Sequence, residues 1–371
     1  MKILIFNWQD ITNPHSGGAE VHLHEVFSRI AKMGHEVTLF CCTYDGAKPF
    51  EELNGIKIIR EGNRFFFNFL VPIKYFLTFK KEKFDLIVDD MNKIPFYTPC
   101  FVAEPILGVT HHLFGKSIFK ETIFPFASYV YFAEKIALSV YKKLQFVIGS
   151  PSTHKELITN GFDENRTHLI YYGVDHQTFK LNEIEKSKSP LIGALGRLKK
   201  YKNFDHLLEA FVLVKKNISN AKLVIIGDGD DKERLIAITK KLNLTTSVTF
   251  TGFVSENEKV NWLNKINIAI NTSAKEGWGL TVTEANACGT TTVSSNVEGL
   301  RDAVIDNETG LLYEYGNINE LAQKITLLLK DDLLREKLEN NALIHSKNFD
   351  WNVAATKTIN VINKIIDERK I

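Results

Sequence analysis

Short apolar runs alternate with stretches of helical periodicity along the whole chain, and this order predicts parallel sheets joined by crossover helices, an α/β fold. In the first half, strands are expected at residues 2–7, 36–41, 85–89, 106–110 and 145–149. Leu23, Val26, Phe27 and Ile30 share one face of a first helix, and Gly34 supplies its stop. In the second half, strands are expected at residues 191–195, 222–226, 247–251, 267–272 and 291–294, and Phe204, Leu207, Leu208 and Phe211 repeat the helical spacing. Residues 182–190 are polar and charged with little to bury, so they read as a linker between a first domain, 1–181, and a second, 191–349. A final element, 350–371, is a helix with Asp350 as its N-cap candidate and Ile359, Ile362 and Ile366 on one face.

Composition narrows the class. The 371 residues, 44% of them hydrophobic, suffice for two cores, and a formal charge of +2 carries no general nucleic-acid signature. Cys41, Cys42, Cys100 and Cys288 form no C-x-x-C pair, which points away from a zinc site or disulfide framework and toward a reducing, cytoplasmic compartment. The first eight residues read as a strand rather than a signal peptide, and no run is long enough to span a bilayer.

The densest chemistry lies in Glu276-Gly-Trp-Gly-Leu-Thr-Val-Thr-Glu284, two carboxylates eight residues apart around a glycine-rich strand-to-helix turn. Gly277 and Gly279 let backbone approach a ligand closely, and a helix starting at Leu280 offers orphan N–H groups to a phosphate. The two glutamates are then free for hydroxyls, Glu276 toward a sugar ring and Glu284 toward a ribose diol. Upstream, Gly196-Arg197 ends a strand and Lys202 precedes a helix, placing two cations to neutralise a departing diphosphate. A solvated basic loop would look the same, with Lys199 and Lys200 beside them, but the glutamate motif in the same βα array favours the anion site. Phe253 and Val254 follow a strand and offer backbone to a base. In the first half, Gly17-Gly18 precede a helix, where glycines also serve as plain turn formers, and His111-His112 end a strand, where a packed pair is equally at home. Asp228-Gly-Asp230-Asp231 reads as a turn and Asp89-Asp90 as a strand end, so no metal is expected. Gly227-Asp-Gly229 lacks the third glycine of a dinucleotide fingerprint, and no cofactor is expected either.

Taken in order, Gly17-Gly18-Ala-Glu20, Tyr172-Gly-Val-Asp175, Gly196-Arg197 with Lys202, Gly227-Asp-Gly229, Glu276 with Glu284, and Glu308-Thr-Gly310 closely resemble family 4 of the retaining glycosyltransferases over nearly the whole length. Asn286 and Thr290-Thr291-Thr292 depart from the family pattern without touching a ligand-binding side chain. The resemblance implies the GT-B fold: two Rossmann-like, doubly wound parallel-sheet domains facing across a cleft, with the terminal helix crossing back to the first. It further implies that Gly17 and Gly18 lie against donor phosphates and that His112, with His111 as the neighbouring register, contacts the donor sugar and helps stabilise the transition state. A hexosyl group would pass from a UDP- or GDP-linked sugar with retention, without a covalent enzyme nucleophile, the leaving diphosphate oxygen taking the acceptor proton.

For the acceptor, residues 57–83 combine seven basic and two acidic residues with Phe65, Phe66, Phe67, Phe69, Tyr75, Phe76 and Phe79. Residues 117–144 add further aromatics among lysines, although Pro72 and Pro125 interrupt the two stretches. Either these are buried aromatic helices with solvated lysines, or they lie on an anionic inner leaflet next to a lipid-linked or cell-surface glycan precursor. Two other functions share the same residues: a sugar-nucleotide epimerase or phosphorylase, which needs no separate glycosyl acceptor, and a catalytically silent sugar-nucleotide scaffold.

Overall fold

The computed structural model describes residues 1–92 and 94–369, and the chain divides into two compact units, residues 1–173 with 351–371 and residues 174–350. The first unit carries β1 (Lys2–Phe6), β2 (Glu36–Cys41), β3 (Phe50–Leu53), β4 (Ile56–Arg60), β5 (Leu86–Asp90), β6 (Ile106–Thr110), β7 (Gln145–Ile148) and β8 (Thr167–Leu169). They form one sheet in the order β3-β4-β2-β1-β5-β6-β7-β8, parallel except for the β3–β4 pair. That antiparallel hairpin was not expected, yet its cause is in the sequence. Asn54 and Gly55 both take positive φ, 52° and 84°, the backbone a two-residue hairpin turn requires.

The second unit carries β9 (Leu191–Leu195), β10 (Lys222–Ile226), β11 (Val248–Gly252), β12 (Ile268–Asn271), β13 (Thr292–Ser295) and β14 (Gly310–Tyr313). All neighbours are parallel in the order β11-β10-β9-β12-β13-β14. Each sheet therefore winds outward in both directions from a central pair, β1 and β5 in the first and β9 and β12 in the second. Ligands of such sheets bind beyond the carboxyl ends of that pair, where the connections diverge and open a crevice.

Periodicity places the helices. Leu23, Val26, Phe27 and Ile30 are buried along helix Gly18–Lys32, and Gly34, with φ 94°, ends it. Phe204, Leu207, Leu208 and Phe211 turn helix Phe204–Asn217 onto Ile192, Leu223 and Ile268 of the second sheet. In the first unit, Phe6 and Phe40 of the sheet pack with Phe67 and Phe79, ring centroids 5.1 to 6.3 Å apart, so one face of helix Phe67–Leu77 belongs to the core. Pro72 is accommodated inside that helix, and Pro125 stands in the first turn of helix Phe124–Val140, where its missing N–H costs nothing; it starts that helix rather than interrupting it.

Two expected boundaries need correction. The first domain ends at residue 173, not 181, because the chain after Gly173 is already tied to the second unit. Val174 N–H donates to the Phe349 carbonyl at 3.2 Å, Asn264 Nδ2 donates to the Lys180 carbonyl at 3.1 Å, and Leu181 packs on Gly289. Residues 182–190 are not a free linker either. Asn267 holds the Ser187 carbonyl and the Leu191 N–H, and Lys186 donates to the Ile266 carbonyl at 3.0 Å and to Thr290. Lys186, one of the polar side chains that made the stretch read as a linker, is thus one of its ties, and Asn267 holds the rest by backbone. The closing helix, Trp351–Glu368, packs on Gly18–Lys32 of the first unit.

Asp89, at the end of β5, is fully buried and accepts from Thr98 Oγ1 at 2.6 Å and Tyr141 Oη at 2.5 Å. Burial pushes its carboxyl up to about 6, against the lowering effect of those two hydroxyls. A raised folded pKa favours the protonated folded form, so the stability this group contributes is complete below about pH 4 and is lost as pH rises to about 6. Urea unfolding across that window should show roughly 2–3 kcal/mol of pH dependence that Asp89→Asn removes; equal slopes for both proteins would contradict the buried titration.

Candidate functional site

At the divergence of the second sheet, the loops after β9 and β12 lie side by side and are stitched together by backbone. Ala274 N–H donates to the Tyr201 carbonyl at 2.9 Å, Thr272 Oγ1 donates to the Lys202 carbonyl at 2.7 Å, and Ser295 Oγ donates to the Ser273 carbonyl at 2.6 Å. Such closeness requires glycine. A Cβ on Gly227, at φ 131°, would stand 2.1 Å from the Gly196 carbonyl oxygen, and one on Gly299 would stand 2.2 Å from the Glu276 carbonyl oxygen.

Across this seam Lys202 Nζ donates to Glu276 Oε1, which also accepts from Ser273 Oγ at 2.6 Å. Both charged side chains are largely buried, 14% and 16% exposed. Burial works against the Lys202 charge, but the adjoining Glu276 carboxylate, helped by Tyr201, outweighs it and the pKa is raised; Arg197 is near enough to oppose it. The lysine is thus held as a cation in a partly dry site. Arg197 itself is half-buried directly after Gly196.

Helix Leu280–Ala287 begins where the sequence placed it, with Gly279 as N-cap at φ 104°. The Val282 N–H donates to the Gly279 carbonyl at 2.8 Å, but a glycine cap has no side chain to occupy the Leu280 and Thr281 N–H groups, which can serve an anion. Glu284, one turn in, is not free as expected: Lys259, from helix Glu256–Lys265, donates to its Oε1 at 3.0 Å. Glu276 is likewise engaged by Lys202 and Ser273. Val254 is half-buried between β11 and that helix, whereas Phe253 is exposed.

The sequence reading missed Ser273 and Lys259. A capping box, Ser255 with Glu258, announces the helix that carries Lys259, but nothing local marks its distant partner. It also missed Thr281, whose hydroxyl takes a hydrogen bond from Asn271 Nδ2 at 3.3 Å and so ties the start of the helix to β12. The three aspartates after β10 are each ion-paired, Asp228 with Lys232, Asp230 with Lys199 and Asp231 with Arg234, and among the described residues no His/Cys/Asp/Glu cluster is placed to hold a metal ion.

In the first unit the ends of β5 and β6 meet in a buried polar cluster. Asp90 Oδ1 lies 3.0 Å from His111 Nε2, and the other ring nitrogen of His111 meets the Tyr172 hydroxyl. His22 stacks on Tyr172 at 4.5 Å and is kept neutral by burial, with His111 adding to the effect. His111 is therefore turned inward and fixed, whereas His112 is half-buried, its ring 4.9 Å from Phe114. Gly17 caps helix Gly18–Lys32, and its own N–H donates to Glu20 at 2.7 Å, which also accepts from Asn92.

A family model described as glycosyltransferase family 4 matches residues 16–178, and one described as glycosyl transferases group 1 matches residues 176–344. The chain belongs to family 4 of the glycosyltransferases and has the GT-B fold. An uncharacterized glycosyltransferase of Methanocaldococcus jannaschii is 25% identical over 99% of both chains. N-acetylgalactosamine-N,N'-diacetylbacillosaminyl-diphospho-undecaprenol 4-alpha-N-acetylgalactosaminyltransferase of Campylobacter jejuni is 30% identical over 57% of this chain and 58% of its own. The crystal structure of HepE of Anabaena in complex with UDP and glucose superposes with a TM-score of 0.78 at 18% identity, over 98% of this chain and all of that one.

Gly227→Ala should destabilise the second unit by roughly 2–4 kcal/mol, because the new Cβ meets backbone. Gly316→Ala, at φ 86° with nothing within 4 Å, should cost only about 1 kcal/mol of backbone strain. Equal losses in urea titrations would contradict the close approach of Gly227, after β10, to the Gly196 carbonyl, after β9.

Proposed function

We propose that the protein moves a hexosyl group, with retention, from a nucleoside diphosphate sugar to a hydroxyl of a lipid-linked or cell-surface glycan precursor. The Lys202–Glu276 pair at the divergence of β9 and β12, beside the glycine-capped helix, carries this reading. In it the diphosphate takes the N–H groups at Leu280 and the charges of Arg197 and Lys202, which supply the neutralisation a metal ion would otherwise give. Glu276 accepts from a sugar hydroxyl through its second oxygen, and Glu284, oriented by Lys259, accepts from the ribose. Val254 offers backbone to the base. The C1–O bond to phosphate breaks as the acceptor oxygen bonds C1 from the same face, and the acceptor proton passes to the departing phosphate oxygen. His112 and the Gly17–Gly18 loop keep their proposed roles toward sugar and phosphate. The Campylobacter relative's name specifies an undecaprenol-linked acceptor, and HepE was solved with UDP and glucose; both support the chemistry proposed here.

A thermal-shift panel of UDP- and GDP-sugars, with free UDP and GDP, tests the donor site. One nucleotide series should raise Tm by mass action, with the shift lost in Glu284→Ala. Arg197→Ala and Lys202→Ala should each lower kcat by about 10²–10³. No shift with any nucleotide, or unchanged turnover in both variants, would contradict the assignment, and release of an epimerised sugar nucleotide from donor alone would replace transfer with epimerisation.

A further inference from the structure

We propose that the outward aromatic face formed by helices Phe67–Leu77 and Phe124–Val140 in the first unit docks on an anionic lipid surface. The proposal deepens the reading of a lipid-linked acceptor by naming the surface on which the enzyme would meet it.

Helix Phe67–Leu77 is apolar on two faces. Phe67, Val71 and Tyr75, at four-residue spacing, enter the core. Phe66, Phe69, Ile73 and Phe76 repeat at the complementary spacing and are about half or more exposed, Phe66 reaching 66%. A helix that needs only one core stripe has here a second with nothing to cover it. Helix Phe124–Val140 inverts the usual arrangement. Its buried positions are Ala127, Ala133, Glu134 and Ala137, whereas Phe126, Tyr129 and Phe132 face out, Phe132 at 61%. Ala137 joins the core of this unit, and the outward aromatics do not.

The two helices are joined by Asn68 Nδ2 donating to the Tyr129 hydroxyl at 3.0 Å, so the faces lie together. Of the 24 large hydrophobic side chains exposed among the described residues, thirteen fall in residues 65–77 and 119–136, under a tenth of the chain. That concentration separates a patch from the scattered apolar surface every protein carries.

Charge selects the occupant. Residues 64–83 and 112–143 hold ten basic and three acidic residues, a net of +7, whereas the whole chain is +2 and the remainder therefore −5. One of the three acids, Glu134, is turned inward to the Phe114 and Gly115 N–H groups. The cationic heads of Arg64, Lys80 and Lys135 lie over the rings of Phe65, Phe76 and Tyr131 at 5.0 to 5.4 Å, so positive charge is interleaved with the aromatic face. Aromatics in the acyl boundary with lysines at headgroup level describe a helix pair lying in a membrane interface, and none of the described helices is long and apolar enough to cross one.

The test is co-sedimentation of the full chain with phosphatidylcholine vesicles, with and without phosphatidylglycerol. The protein should pellet with the anionic vesicles alone and be released by high salt. Phe69→Ser/Phe132→Ser and, separately, Lys80→Glu/Lys81→Glu should each lower partitioning at least about tenfold while keeping the nucleotide thermal shift of the parent. The charge variant replaces no buried group, so it decides the matter if the phenylalanine variant does not fold. Wild-type protein left in the supernatant, or pelleting unchanged by both variants, overturns docking. A solution dimer that the phenylalanine variant dissociates overturns it too, assigning the face to a second copy. Vesicle binding without any nucleotide shift would condemn the transferase reading and leave docking standing.

Discussion

The ion pair between Lys202 and Glu276 is the constraint around which the second unit is arranged. It joins the loops after β9 and β12, the two strands from which the sheet winds in opposite directions. Burial alone would work against the Lys202 charge, and the adjoining carboxylate outweighs it. Ser273 fixes the carboxylate, and the carboxylate in turn holds the lysine's pKa raised. Removing either partner would strand the other, so the pair specifies the loops as well as the charge.

The backbone makes this arrangement possible. Gly227 and Gly299 bring their backbone within distances of the Gly196 and Glu276 carbonyls that any side chain would forbid, and Gly279 leaves the helix start without a side-chain cap. In the proposed donor site, crowded backbone and oriented N–H groups would receive an anion without a dedicated side chain for each oxygen. The first unit solves its own end differently. There a buried chain of Asp90, His111 and Tyr172, with neutral His22 stacked above, fixes the strand end next to His112.

Much of this was legible. The two βα arrays, the helix starting at Leu280, and the association of Lys202 with the glutamate motif follow from local periodicity, glycine placement and residue type. Partners separated by many residues were not legible. Lys259 and Glu284 are 25 apart and on different helices, so the expectation of a free Glu284 failed. The strand β8, three residues long, is too short for periodicity to register, whereas β14 is as long as β7, β12 and β13 and was simply not read. The Asn54-Gly55 hairpin signal was present but lay just before residues 57–83, the stretch read for its charge and aromatics. The boundary at Gly173 escaped because polar residues 182–190 look unpacked until Asn264 and Asn267 are seen to hold this part of the chain by its backbone. The aromatic helices exposed a limit of composition itself, since the same phenylalanine content serves the core on one face and faces solvent on the other.

Amide hydrogen exchange with and without a stabilising nucleotide sugar is the decisive measurement for the proposed donor site, because it reports where an anion meets backbone rather than only that one binds. Exchange should slow in the first turn of helix Leu280–Ala287 and in the loop from Gly196 to Lys202, with β13 and β14 unchanged. Protection confined to segments away from the ends of β9 and β12 would contradict it.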